Sequence, residues 1–131
     1  METNPRRALL EISNNPDETL DFIISLQGVF QTLNGSQNIA LYIRYVPDCL
    51  ILCPESFSKY LKALSEQNWR NIEEVATTVI GDLSNQLVAR WICIKATEDE
   101  FYLGLGIHEV LIEDHQPEWD NPSLLSRGEP I

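Results

Sequence analysis

The sequence predicts an α+β fold, with a four-stranded antiparallel sheet carrying two helices on one face in the order β-β-α-α-β-β. Three observations predict it. Apolar residues alternate with period two across 19–30 and 39–46, on either side of the turn signal Asn34-Gly35. They recur at helical spacing across 56–66 and 71–87. Strand character then returns across 89–96 and 101–113.

Each element can be justified in turn. Residues 1–16 hold Pro5, Pro16 and a short apolar stretch from Ala8 to Ile12, and read as an arm that ends at the Asn14-Asn15-Pro16 turn. The domain proper then spans 17–115. In TLDFIISLQGVF, Leu20, Phe22, Ile24 and Leu26 fall on one strand face; in IALYIRYV, Ile39, Leu41, Ile43 and Tyr45 do the same. The short connection makes the pair a hairpin, and Pro47-Asp48 ends it. Phe57, Tyr60, Leu61 and Leu64 then mark a first helix with Ser56 as its cap. Ile72, Val75, Ala76, Val79, Ile80, Leu83 and Leu87 mark a longer second helix capped by Asn71. Gly104 and Gly106 suggest a bulge or a close backbone approach within the last strand. Residues 116–131, with three prolines and Trp119, Leu124 and Leu125 among polar residues, read as an irregular tail. The sheet has two edges, and an open sheet invites pairing with another chain, which predicts a homo-oligomer closed through those edges.

Composition narrows the function. The 131 residues suit one domain, able to bury roughly two-thirds of its unfolded surface. Nine Lys plus Arg against twenty Asp plus Glu give a net charge of −11. Nucleic-acid binding draws on neutralised phosphates, so this balance argues against a nucleic-acid partner. No apolar run is long enough to span a bilayer, so no membrane partner is expected. The N-terminus lacks the apolar core of a secretory signal, and three cysteines without a CxxC pair make no disulfide framework, so the cytoplasm is the default location.

Chemistry is sparse. There is no HExxH, GxSxG, P-loop or GxGxxG after a strand, and Gly104-Leu105-Gly106 is too short for a phosphate loop. His108 and Glu109 fall on opposite strand faces, so no shared metal ion is expected. Cys53 precedes a helix start, a place that can lower a thiol's pKa, and Cys49 lies four residues earlier. The plainer reading of Cys53 and Cys93 is a small buried hydrophobe. Glu73 and Glu74 open the second helix, where acidic residues suit its dipole. Glu73 also adjoins Ile72 at the border of the apolar stripe, where a carboxylate could receive two N–H donors from a purine-like ring.

Several blocks in one order carry a resemblance: NPDETLDFIISL (15–26), LYIRYVPD (41–48), SKYL (58–61), IEEVATTVIGDL (72–83), ARW (89–91) and EDHQPEW (113–119). Together they resemble the QueF family, nitrile reductases of queuosine biosynthesis that convert 7-cyano-7-deazaguanine to its aminomethyl form with NADPH. The resemblance covers roughly residues 15–119 and implies a tunnelling fold (T-fold), the superfamily of GTP cyclohydrolase I, whose strands close into barrels between subunits. The family glutamate that holds the deazaguanine ring matches Glu73, but the histidine before it is replaced by Ile72. The family's nucleophilic cysteine and its proton-donating aspartate fall in the segment matching FQTLNGSQNI (30–39), which contains neither. The NADPH signature lies over PESFSKYL (54–61) and agrees at Lys59 and Tyr60.

The resemblance therefore implies a protein of 7-deazaguanine metabolism that keeps purine-like recognition through Glu73 and lacks the reductase nucleophile, acting alone or beside a catalytic homologue. One alternative is an active nitrile reductase, or a related deazapurine transferase, with a relocated thiol at Cys49 or Cys53. Another is a non-catalytic interaction protein, in which Glu73 would be salt-bridged or solvated.

Overall fold

The computed structural model describes residues 5–32, 37–99 and 104–127. Four strands form the main sheet: β2 (Ile24–Gln31), β3 (Asn38–Val46), β5 (Trp91–Asp99) and β6 (Ile107–His115), in the spatial order β2-β3-β5-β6, with every neighbour antiparallel. Between β3 and β5 the chain makes α1 (Pro54–Ser65) and α2 (Ile72–Leu87), which pack on one face of the sheet. The α+β architecture, antiparallel sheet and two covering helices match the expectation from sequence.

The core lies where alternation and helical spacing meet. Ile39, Leu41, Ile43 and Tyr45 of β3, with Ile92, Ile94 and Ala96 of β5, face Phe57, Tyr60 and Leu64 of α1 and Val75, Val79, Leu83 and Leu87 of α2. All are buried because β3 and β5 are the central strands. Gly28 of β2 lets α1 approach closely: a Cβ there would collide with Leu61 and press on Phe57.

Several boundaries differ from the sequence reading. The first long strand begins at Ile24, because residues 17–20 form turns in which Asp17 accepts hydrogen bonds from the backbone and hydroxyl of Thr19. Leu20 is accordingly exposed. The arm is tied to the fold: β1 (Ile12–Asn14) pairs with β4 (Leu50–Leu52) in a second small sheet, and Leu10 is buried. Helix α1 starts at Pro54, with Cys53 and not Ser56 at the cap position. Proline suits a first helical position because its missing N–H has no partner to lose there. Ser56 sits inside the first turn; its hydroxyl donates to the Cys53 carbonyl at 2.7 Å and accepts from the Glu11 N–H at 2.9 Å. Asn71 does cap α2, its Oδ1 accepting from the Glu74 N–H at 2.8 Å.

The last strand has no bulge. Its register with β5 runs unbroken from Trp91↔His115 to Asp99↔Ile107, and Gly104, with φ of +78°, sits in the turn before it. The Asn34-Gly35 turn and the first residues of the expected last strand lie outside the described residues. The tail contains a short helix, α3 (Pro122–Arg127). Trp119, Leu124 and Leu125 lie against Ile23, Val46, Trp91 and Cys93 on the sheet face opposite the long helices. No helix among the described residues is long and apolar enough to cross a membrane.

Candidate functional site

The start of α2 is held by two side-chain hydrogen bonds. Asn71 accepts from Glu74, and the Glu74 carboxylate accepts from the Arg70 N–H at 3.2 Å. Trp69 is fixed beside it, its indole N–H donating to the Leu64 carbonyl at 2.8 Å. This turn forms one wall of a pocket of about 130 Å³. The ends of the β2–β3 hairpin supply Thr32 and Gln37, β5 supplies Glu98, and β6 supplies His108. Glu98 is only 6% exposed, and it stands directly across the β5–β6 ladder from His108.

Glu73 is not part of the lining but stands at its border: it follows Ile72 in the chain and lies beside His108, both of which line the pocket. Its Oε2 lies 3.5 Å from His108 Nε2, and its side chain is 56% exposed. The structure thus brings a carboxylate from α2, an imidazole from β6 and a buried carboxylate from β5 to one end of the sheet. Sequence reading singled out Glu73 but neither Glu98 nor the pairing with His108. Face parity set His108 apart from Glu109, and Glu109 indeed turns outward to Lys95 at 3.5 Å.

The other candidates lie elsewhere. Lys59 is exposed on α1. Tyr60 is fully buried, and its hydroxyl donates to Asp82 Oδ2 at 2.6 Å. Burial, reinforced by that carboxylate, pushes the Tyr60 phenol well above its ordinary range. Asp82 also receives Arg6 Nε at 2.7 Å, an ion pair that raises the Arg6 guanidinium.

Cys49 and Cys53 follow the opposite end of β3, roughly 25 Å from the pocket at about 3.3 Å per strand residue. Within one chain they cannot act on a group held beside Glu73. Cys49 is exposed, and its thiol is pushed up by hydrogen bonding to Glu18 and by the negative charge of Glu18 and Asp48. That is the reverse of nucleophile activation, which needs a cationic neighbour. Glu18, Asp48 and Cys49 do bring three potential metal-ligand atoms within 4.8 Å of one another. Asp48, however, already accepts from Arg90 at 3.3 Å and from Gln116 at 2.9 Å. Cys53 serves the backbone at the α1 cap, and Cys93 is buried, which raises its thiol.

Arg90 organises this second end. Its guanidinium donates to the carbonyls of Glu18 and Leu20 and to the carboxylates of Asp21 and Asp48. Asp21 also accepts from Trp119 Nε1 at 3.3 Å and Asn121 Nδ2 at 3.0 Å. The Glu73 end of the sheet thus carries a polar pocket, and the other end a hydrogen-bond hub beside a pocket of about 140 Å³ lined by Val88, Ala89, His115 and Gln116. No protein-family model and no curated protein matches the chain.

Proposed function

We propose that the chain is a QueF-like, tunnelling-fold protein of 7-deazaguanine metabolism in the cytoplasm, which recognises a purine-like ring through Glu73 and does not reduce nitriles. The observation that carries this reading is the position of Glu73, 3.5 Å from His108, at the border of a polar pocket lined by Glu98 and Gln37. These groups supply hydrogen-bond acceptors for the N–H edge of a nitrogen-rich ring, and Trp69 supplies an apolar wall. Hydrogen bonds to charged groups contribute about 1.5–3 kcal/mol each, enough to decide which ring edge is accepted.

Residues 30–39 hold neither cysteine nor aspartate, which supports the reading without a reductase step. The covalent route needs a thiolate at the nitrile carbon, and the available cysteines belong to the other end of the sheet. NADPH enters this reading only through Lys59 and Tyr60, and Tyr60 turns its hydroxyl to Asp82 inside the core. Strands β2 and β6 each pair on one side only among the described residues, which supports closure of the sheet by further copies or by a catalytic homologue.

Calorimetry with 7-cyano-7-deazaguanine tests the reading. The expected result is a Kd on the order of 10 μM, lost in Glu73→Ala, with no NADPH consumption. Absence of heat at ligand concentrations near solubility would sink it. One observation favours a second reading, a non-catalytic interaction protein: Glu73 already has His108 as a partner at 3.5 Å. Under that reading Glu73→Ala leaves ligand behaviour unchanged and only loosens the contact between α2 and β6.

A further inference from the structure

We propose that His108 is a positioning residue for Glu73: its protonated imidazole clasps the carboxylate at the pocket border, and loss of the proton releases that carboxylate to a ligand bearing N–H donors. The inference rests on the assignment of Glu73 as the ligand-reading group, but its first test needs no ligand.

The geometry places His108 between two acidic groups on different elements. Glu73 of α2 lies 3.5 Å from Nε2, and Glu98 of β5 is its cross-strand partner. Directly opposed residues of an antiparallel pair bring their Cβ atoms to about 4.5–5.5 Å, so both carboxylates lie within electrostatic reach of the ring. Among the described residues, one further charged group lines this pocket: Arg70, in the turn that enters α2. Arg70 faces Glu74 at 3.9 Å, and its side chain is 87% exposed, so solvent screens its repulsion of the imidazolium. Glu109, next in sequence, points to the other face of the sheet and pairs with Lys95. Among the described residues, the two carboxylates of Glu73 and Glu98 favour the charged imidazole. A buried carboxylate such as Glu98 also costs less when a cation stands beside it. The His108 side chain is 35% exposed, so its proton exchanges with solvent while the clasp is closed.

The consequence for binding has a definite sign. A ligand that takes the Glu73 carboxylate must displace the imidazolium, and the freed imidazole releases its proton. Binding then tightens as pH rises, by at most about tenfold per pH unit for one proton released. A ligand that leaves the clasp closed shows no such dependence.

The first test is an NMR titration of the two histidine rings, with His115→Gln used to assign them. Glu73→Gln and Glu98→Gln are each expected to lower the His108 midpoint. Glu73 is half-exposed, so Glu73→Gln leaves the core intact and decides the matter: an unchanged His108 midpoint in that variant overturns the proposal. The second test is calorimetry with 7-cyano-7-deazaguanine at about pH 6 and about pH 7.5, on either side of a histidine's ordinary range. Wild type should bind roughly three- to tenfold more tightly at the higher pH, and His108→Gln should bind equally at both. Binding that is independent of pH in wild type overturns the release step. Silence at both pH values overturns the nucleobase reading instead, and the ring titration then judges the clasp by itself.

Discussion

Asp82 shares one carboxylate between the Arg6 guanidinium and the Tyr60 hydroxyl, with side-chain exposures of 13% for Arg6 and 7% for Asp82. Removing one member of a buried ion pair leaves the other uncompensated. Asp82→Asn should therefore cost about 2–4 kcal/mol, read from a urea denaturation midpoint, whereas Tyr60→Phe should cost about 1 kcal/mol. Asp21 and Asp48 make a pH prediction at the same scale. Desolvation works to raise Asp21, but hydrogen bonds from Asn121, Arg90 and Trp119 outweigh it and hold its carboxyl below the usual range. Asp48 is held low chiefly by Gln116, with help from Arg90. A carboxyl depressed in the folded state contributes stability above its unfolded pKa of about 3.9 and loses it as pH falls through the folded value. Asp21→Asn should accordingly melt below wild type near neutral pH, the gap closing towards about pH 2.5 in a series of thermal melts. Neither Asp82 nor Asp21 stood out in the sequence. Each reads there as one more polar residue, because its importance comes from partners about 70 to 100 positions away, such as Arg6 for Asp82 and Asn121 for Asp21.

Elements with one continuous buried face were the legible ones. Strand β3 and helix α2 carry core-facing apolar residues along their whole length, so their period survives any uncertainty about neighbours. The β1–β4 pairing was not legible. Each strand has three residues, too few to show a period, and 35 residues separate the end of one from the start of the other. The false start of β2 has a different cause: Leu20 and Phe22 alternate correctly, but Arg90 holds the Leu20 carbonyl in a loop. The pocket was half legible. Glu73 could be placed at a helix start, but its meeting with His108 depends on the strand order, which brings β6 against α2. The end of α2 yields a further prediction. Val88 adopts a left-handed backbone, φ 47° and ψ 48°, and the residue is 59% exposed. A β-branched residue is strained there, whereas glycine is not. Val88→Gly should stabilise the protein by about 0.5–1 kcal/mol after glycine's greater unfolded-state entropy is subtracted, as a higher melting temperature would show.

Across the whole molecule the two faces of the sheet serve different ends. The long helices cover one face, and Trp119, Leu124 and Leu125 cover part of the other. Beyond that cover, Val29 on β2 and Ile107 and Leu111 on β6 stay exposed near the two edges, where the proposed closure by further copies would shelter them. The sequence could not show that the tail lies on the sheet, because three apolar residues among polar ones carry no period. The guanidinium of Arg90 gives that arrangement an unexpected property. It bonds the segment 18–21 and the Asp48 turn directly, and it reaches Trp119 and Asn121 through Asp21. Segments near both termini thus depend on one side chain. Limited proteolysis of Arg90→Ala should cut the 17–23 loop and the 116–127 segment over the same range of protease concentration, while wild type resists at both. The two ends of the chain, far apart in sequence, would become vulnerable as one unit.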